Sequence, residues 1–121
     1  LTFYETIKYK QQKIGAAMKT FILTTPVLTD YGVYRFEKIT VEQARELAKG
    51  AVSAVGHRGA AEALTRLLNI PIQTNRQKIT MRPGDIALVF KITERLPEGA
   101  VLTAEETLKL PYEFGRLEHL S

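Results

Sequence analysis

Few side chains in this sequence can move a proton at neutral pH: of 121 residues only His57 and His119 are histidine, and there is no cysteine. Their settings differ. His57 follows Val55-Gly56 at the entrance to a stretch of helical periodicity, where the unpaired backbone N–H groups of a helix start favour an anion. A histidine there could protonate the leaving oxygen of a bound phosphate ester; alternatively it caps the turn by hydrogen bonding to backbone. His119, between Glu118 and Leu120, reads as a surface residue. The second group is Arg95-Leu96-Pro97-Glu98-Gly99, a loop with proline and glycine between an apolar strand and a helix, the kind of segment that lines sites. Arg95 offers a fork of donors suited to charge growing on a phosphate, and Glu98 could orient it or assist proton movement. The two could equally form an exposed pair worth under ~1 kcal/mol. Arg76, in Asn75-Arg76-Gln77, falls on a stretch that reads as a strand with alternating polar positions, consistent with a polar groove.

Several chemistries are absent from the pattern. No Gly-rich Walker or Rossmann run occurs, and Ser53 and Ser121 are the only serines, neither in a Gly-x-Ser-x-Gly elbow. Two isolated histidines without cysteines make a zinc site a poor fit. No aromatic platform for stacking long single strands is visible. What remains is metal-free acid–base chemistry on a phosphate-bearing ligand. The net charge of +4, from 17 Lys+Arg against 13 Asp+Glu, points mildly to an anionic partner. No apolar run approaches the ~20 residues of a bilayer span, and no secretory signal is visible. A cytoplasmic domain without a membrane partner is expected.

The elements that must hold these residues are legible in the punctuation. Thr20–Thr24 is a β-favouring run closed by Pro26, and Val33–Ile39 alternates with period two like a half-buried strand. Thr40-Val41-Glu42-Gln43 is a capping box, opening a helix to Lys49 that Gly50 stops as a left-handed residue. Ala51–Val55 reads as a short buried segment. A second helix spans about Gly59–Asn69, with Ala60, Ala63, Leu64, Leu67 and Leu68 on one side and Pro71 at its end. Strands are expected at Ile72–Met81 and Ile86–Thr93, joined by Arg82-Pro83-Gly84-Asp85, whose proline and glycine suit a type II turn. Ala87-Leu88-Val89-Phe90 is apolar on both faces, which places that strand centrally under helices. Thr103-Ala104-Glu105-Glu106 is a further capping box, its helix ending near Pro111, and Gly115–Leu120 can close the sheet as an edge strand.

The expectation is a single α/β domain over residues 18–121, with a mixed sheet of about five strands flanked by about three helices. Met18-Lys19-Thr20-Phe21-Ile22-Leu23 looks like a natural start. Residues 1–17 then read as the end of a preceding fused domain, a linker or a tag, with Gly15-Ala16-Ala17 as a joint.

Taken in order, Val55-Gly56-His57, Asn75-Arg76 and Glu94-Arg95-Leu96-Pro97-Glu98-Gly99, followed by Leu102 and an acidic helix, resemble the viral anti-CRISPR ring nuclease family. The bacterial CRISPR-associated ring nucleases belong to the same group, and Leu110-Pro111-Tyr112-Glu113-Phe114-Gly115 looks like that branch. The likeness covers about residues 18–120. It implies a homodimer that binds cyclic tetraadenylate, the messenger of type III CRISPR defence, across its interface. It further implies cleavage without cofactor or metal into linear diadenylates, the ribose 2′-hydroxyl attacking to leave a 2′,3′-cyclic phosphate. By the same resemblance His57 is the general acid, Arg95 stabilises the charged phosphorus centre, and Glu98 supports Arg95 or moves a proton. Thr24, Gly56, Arg58, Arg76, Lys91 and Leu102 fall at ligand contacts. Members also occur fused to messenger-activated CRISPR ribonucleases, which would give residues 1–17 a partner. Two departures stand out: Arg58-Gly59-Ala60 replaces a run that carries Ser-Thr in many members, and Thr24 replaces an asparagine of viral ones. The lost hydroxyls keep a non-catalytic sponge for the ring as the alternative. A small nucleic-acid-binding domain is a further one, against which the basic residues are scattered rather than gathered in a stripe.

Overall fold

In chain order the elements are β1 (Thr20–Leu23), β2 (Tyr34–Ile39), α1 (Val41–Ala48), β3 (Val52–Ser53), α2 (Arg58–Leu68), β4 (Ile86–Ile92), α3 (Ala104–Leu108) and β5 (Tyr112–His119). The computed structural model describes residues 19–97 and 99–121. The expectations for residues 1–17, for Met18 and for Glu98 lie outside the described residues. The strands form one mixed sheet of order β2-β5-β4-β1-β3. β1 is parallel to both β3 and β4, while β5 runs antiparallel between β4 and β2. Among the described residues, the single α/β domain with five strands and three helices is as expected.

Local chemistry explains most of the boundaries. Thr40 and Gln43 cap α1 reciprocally, Thr103 and Glu106 do the same for α3, and Gly50 takes a φ of +72° just beyond α1. α2 stops at Asn69, itself left-handed with a φ of 56°, before Pro71 is reached. The Arg82–Asp85 turn closes with an Asp85 N–H to Arg82 carbonyl bond of 2.9 Å, and Gly84 has the φ of +97° that its type requires.

The central placement of β4 holds: Ile86 through Phe90 are all buried. Its alternation splits the core in two. Leu88 and Phe90, with Ile22 and Phe114, face Ala44 and Ala48 of α1 and Ala61, Leu64 and Leu68 of α2. Ala87 and Val89, with Phe21, Leu23 and Leu117, form the other face around Met81, with Ile79, Ala54 and Tyr34 packed on it. Leu64 is fully buried in the helix-side cluster. Leu64→Ala is expected to cost about 2–5 kcal/mol, read as a lower urea midpoint with an unchanged slope.

Expectations in four parts of the chain's architecture need correction: the 72–81 strand, the place of β5, the burial of the edge strands and the setting of His119. Residues 72–81 do not pair as a strand. They are tied down by the Asn75 N–H donating to the Val55 carbonyl (2.8 Å), by Asn75 and Gln77 side-chain amides donating to the Ser53 carbonyl (2.8 and 3.1 Å) and by Ser53 Oγ donating to the Gln73 carbonyl (2.6 Å). Their apolar residues divide between the two faces, Ile72 packing on the helix-side cluster and Ile79 and Met81 on the other. β5 is not an edge; the edges are β2 and β3. As edge strands these are wetter than their composition suggests, with Phe36 46% and Val52 42% exposed, so neither the half-buried β2 nor the buried 51–55 segment is realised apart from Val55.

His119, fourth, is buried at 3% exposure. Its Nδ1 lies 2.9 Å from the Met81 carbonyl and its Nε2 3.2 Å from the Ser121 carbonyl. The ring stacks on Tyr34 at 4.2 Å. Its main chain and that of the Arg82–Asp85 turn bond mutually, Gly84 N–H to His119 carbonyl at 2.8 Å and His119 N–H to Asp85 carbonyl at 3.0 Å. Asp85 completes this end of the sheet: Oδ1 accepts from the Lys19 N–H and Oδ2 from the Arg82 N–H, both at 2.9 Å. Among the described residues no helix is long and apolar enough to cross a membrane.

Candidate active site

Because β1, β3 and β4 are parallel, the segments leaving their C-terminal ends emerge along one rim of the sheet. β3 and β4 flank β1 on opposite sides, so the segments leaving the rim diverge and open a crevice beside β1, where ligands of open α/β sheets bind. A cleft of about 410 Å³ lies there. Thr24 and Thr25 line it from the end of β1, Phe90, Lys91 and Ile92 from the end of β4, and His57 and Ala60 from the start of α2. Glu94, Leu96 and Ala100–Leu102 form a roof, and Thr107 of α3 closes the back.

His57 is the N-cap residue of α2, with φ −125° and ψ 133°, and its side chain makes no capping hydrogen bond. The turn-capping alternative is therefore not the one adopted. The imidazole is exposed and faces the cleft, beside the first-turn N–H groups that a helix leaves unpaired and that attract anions. Thr24, Lys91 and Leu102 share the cleft with it. Lys91 stands opposite Glu113 in the β4–β5 ladder, but Glu113 pairs with Lys38 at 3.6 Å. Gly56 lets Arg76 come close: a Cβ at 56 would meet Arg76 Cγ at 3.3 Å, so the arginine stem lies over the residue preceding His57.

Two other cations stand further out. Arg58 pairs along its own helix with Glu62 at 2.9 Å and is 86% exposed. Arg95 is exposed on the roof loop, between Glu94 and Leu96 whose side chains line the cleft. Among the described residues no cluster of His, Asp and Glu is placed to hold a metal ion. The roof joins α3, which Arg66 of α2 anchors through Glu105 at 3.0 Å. The Glu105 carboxyl is held below its ordinary value of 4.5, first by a backbone N–H at its own position and then by Arg66. What it adds to stability is thus present at neutral pH and lost on acidification through that lowered value.

Residues 20–114 match the model of a known family, the one described as STIV B116-like. The chain belongs to that STIV B116-like family. It is 33% identical to the Bacillus subtilis protein YddF over 107 residues, 85% of this chain and 99% of YddF. It is also 35% identical to protein 26 of a Sulfolobus islandicus filamentous virus over 89 residues, 71% of this chain and 75% of that one. The structure of B116 from Sulfolobus turreted icosahedral virus superposes with a TM-score of 0.65 at 24% identity, covering 84% of this chain and 99% of B116. The STIV B116-like fold is thus shared between bacterial and archaeal viral proteins. In this STIV B116-like chain, sequence reasoning missed Thr25, Ala60 and Ile92 as cleft residues. For Thr25 a signal existed, since it follows Thr24 directly beyond a parallel strand. Val101, in the loop after β4 as read from the sequence, is 76% exposed at the rim of the cleft.

Proposed function

We propose that this protein is a metal-independent ring nuclease that opens cyclic tetraadenylate to linear diadenylates and so switches off messenger-activated effectors of type III CRISPR defence in the cytoplasm. The observation that carries this reading is His57: an uncapped imidazole at the open start of α2, facing a cleft at the C-terminal ends of parallel strands. Metal-free chemistry suits the donor set, because the other histidine is buried at the far end of β5 and cysteine is lacking.

In the proposed reaction a ribose 2′-hydroxyl attacks the phosphorus of its own 3′-phosphate. The P–O2′ bond forms, the P–O5′ bond breaks, and the 2′-hydroxyl proton is released. His57 gives its proton to the departing 5′-oxygen, leaving a 5′-hydroxyl and a 2′,3′-cyclic phosphate. Arg95 offsets the charge on the five-coordinate phosphorus, and Glu98 supports it or takes part in proton transfer. Lys91, Arg76, Arg58 and the first-turn N–H groups of α2 hold the flanking phosphates, with Thr24, Gly56 and Leu102 as further contacts. Holding the 2′-hydroxyl in line supplies much of the acceleration. Two chains related by a two-fold axis would bracket one ring and cut it on opposite sides. The messenger-activated ribonuclease is the partner whose signal this activity ends.

Cleavage in water enriched in ¹⁸O tests the chemistry. Attack by the substrate's own hydroxyl leaves the cyclic-phosphate product unlabelled in the mass spectrum. Label in the first-formed product would mean direct hydrolysis and contradict the scheme. A sponge that holds the ring intact is the competing function, favoured by Gly59-Ala60 standing where hydroxyl residues occur in many relatives.

A further inference from the structure

We propose that Gly59 is a positioning residue, whose missing side chain seats the root of the cleft roof directly on the helix turn that carries His57; the inference rests on the ring-nuclease reading of that cleft. Gly59 is the second residue of α2 and does not have a positive φ. Nothing in its own backbone calls for glycine, which is a poor helix former. The reason lies across the cleft. A Cβ at position 59 would overlap the Leu102 carbonyl oxygen, and would come within 2.9 Å of the Leu102 carbonyl carbon and 3.1 Å of that of Thr103. The roof backbone therefore rests against α2 where a side chain would otherwise stand.

The segment touching Gly59 is where the roof becomes α3. Thr103 caps that helix reciprocally with Glu106 and its carbonyl accepts both the Thr107 N–H (2.9 Å) and the Thr107 hydroxyl (2.8 Å). α3 in turn is tied to α2 through Arg66 and Glu105. Leu102 is thus held on one side by a capped helix and on the other by bare backbone, two residues from His57. The distance between the roof and the imidazole is set by main chain, which cannot rotate out of the way as a side chain can. The roof occupies the space a side chain at 59 would need. A hydroxyl restored at 59 would displace the roof rather than add a ligand contact.

The test is hydrogen exchange and steady-state kinetics on the full chain, wild type beside Gly59→Ala, with cyclic tetraadenylate as substrate. The expected result is faster exchange confined to residues 99–103 and the first turn of α2. kcat should fall about 100-fold, as small misplacements of reacting groups do, with KM within about threefold because Thr24 and Lys91 stay in place. A glycine inserted between Val101 and Leu102 of the variant should recover most of kcat by letting the carbonyl stand off, whereas Leu102→Ala should not, since the obstacle is main chain. Wild-type exchange and kcat in Gly59→Ala would overturn the proposal, as would rescue by Leu102→Ala. Should Gly59→Ala not fold, wild type alone decides: the amides of Leu102, Thr103 and the first turn of α2 must open as one unit, and independent opening overturns it. If wild type leaves the ring uncut, the ring-nuclease reading fails, and the exchange pattern by itself still decides whether Gly59 seats the roof.

Discussion

His57→Ala is expected to lower turnover of cyclic tetraadenylate by about 10²–10⁴-fold, the usual contribution of a positioned general acid. The departing 5′-oxygen is a poor leaving group unless it receives a proton as the bond breaks. Binding of the intact ring should change little, since the cations proposed to hold its phosphates and the backbone N–H groups of α2 do not depend on the imidazole. Single-turnover rates and a titration with the uncut ring separate the two effects. An unchanged rate would remove His57 from the chemistry. A loss confined to affinity would make it a ligand contact instead. The helix itself should survive, because the imidazole makes no cap bond that α2 could lose.

Asp85→Ala is expected to be the most damaging of the polar substitutions for the fold. The carboxylate is 1% exposed and accepts two backbone N–H bonds, from Lys19 at the start of β1 and from Arg82 in the turn before β4. Alanine would leave both part-buried N–H groups without their acceptor. At roughly 1.5–3 kcal/mol for each hydrogen bond to a charged group, the loss is about 3 kcal/mol or more. For a domain of this size that lowers Tm by roughly 10–20 °C. Asp85→Asn, which keeps one acceptor but turns an amide donor toward the other N–H, should fall in between. Because Asp85 lies at the end of the sheet opposite the cleft, kcat measured well below the melting range should be preserved. A melting shift under a few degrees, or a loss of kcat in a fully folded variant, would contradict this assignment.

What could be read from the sequence follows the range of the forces involved. Capping boxes at Thr40 and Thr103, the Pro83-Gly84 turn and the apolar run of β4 are local, and each element forms where its own residues place it. Strand order and the fate of isolated polar residues are not local. β5 reads like an edge because Gly115, Arg116 and Glu118 interrupt it, yet both neighbours pair with it, and Phe36 lies across Gly115 on the outer face. His119 reads as surface between Glu118 and Leu120; two carbonyls and the Tyr34 ring make its burial tolerable. Residues 72–81 carry β-type composition, but the ladder bonds they would need are replaced by Asn75, Gln77 and Ser53 side chains.

The same division runs through the site. His57 was legible from its own setting, Thr24, Lys91 and Leu102 only through the family resemblance, and parallel pairing of β1 with β3 and β4 brings them to one rim. The contact between Gly59 and the Leu102 carbonyl had no signal in either segment. From sequence, Gly59 is only a missing hydroxyl; in the fold it is the space the roof stands in.

Chromatography of cyclic tetraadenylate incubated with the protein in EDTA tests the central claim most directly. Conversion to linear diadenylates by wild type and not by His57→Ala is the expected result. A ring recovered intact from a tight complex would make the protein a sponge, and a ring that neither binds nor opens would contradict the ring-nuclease reading altogether.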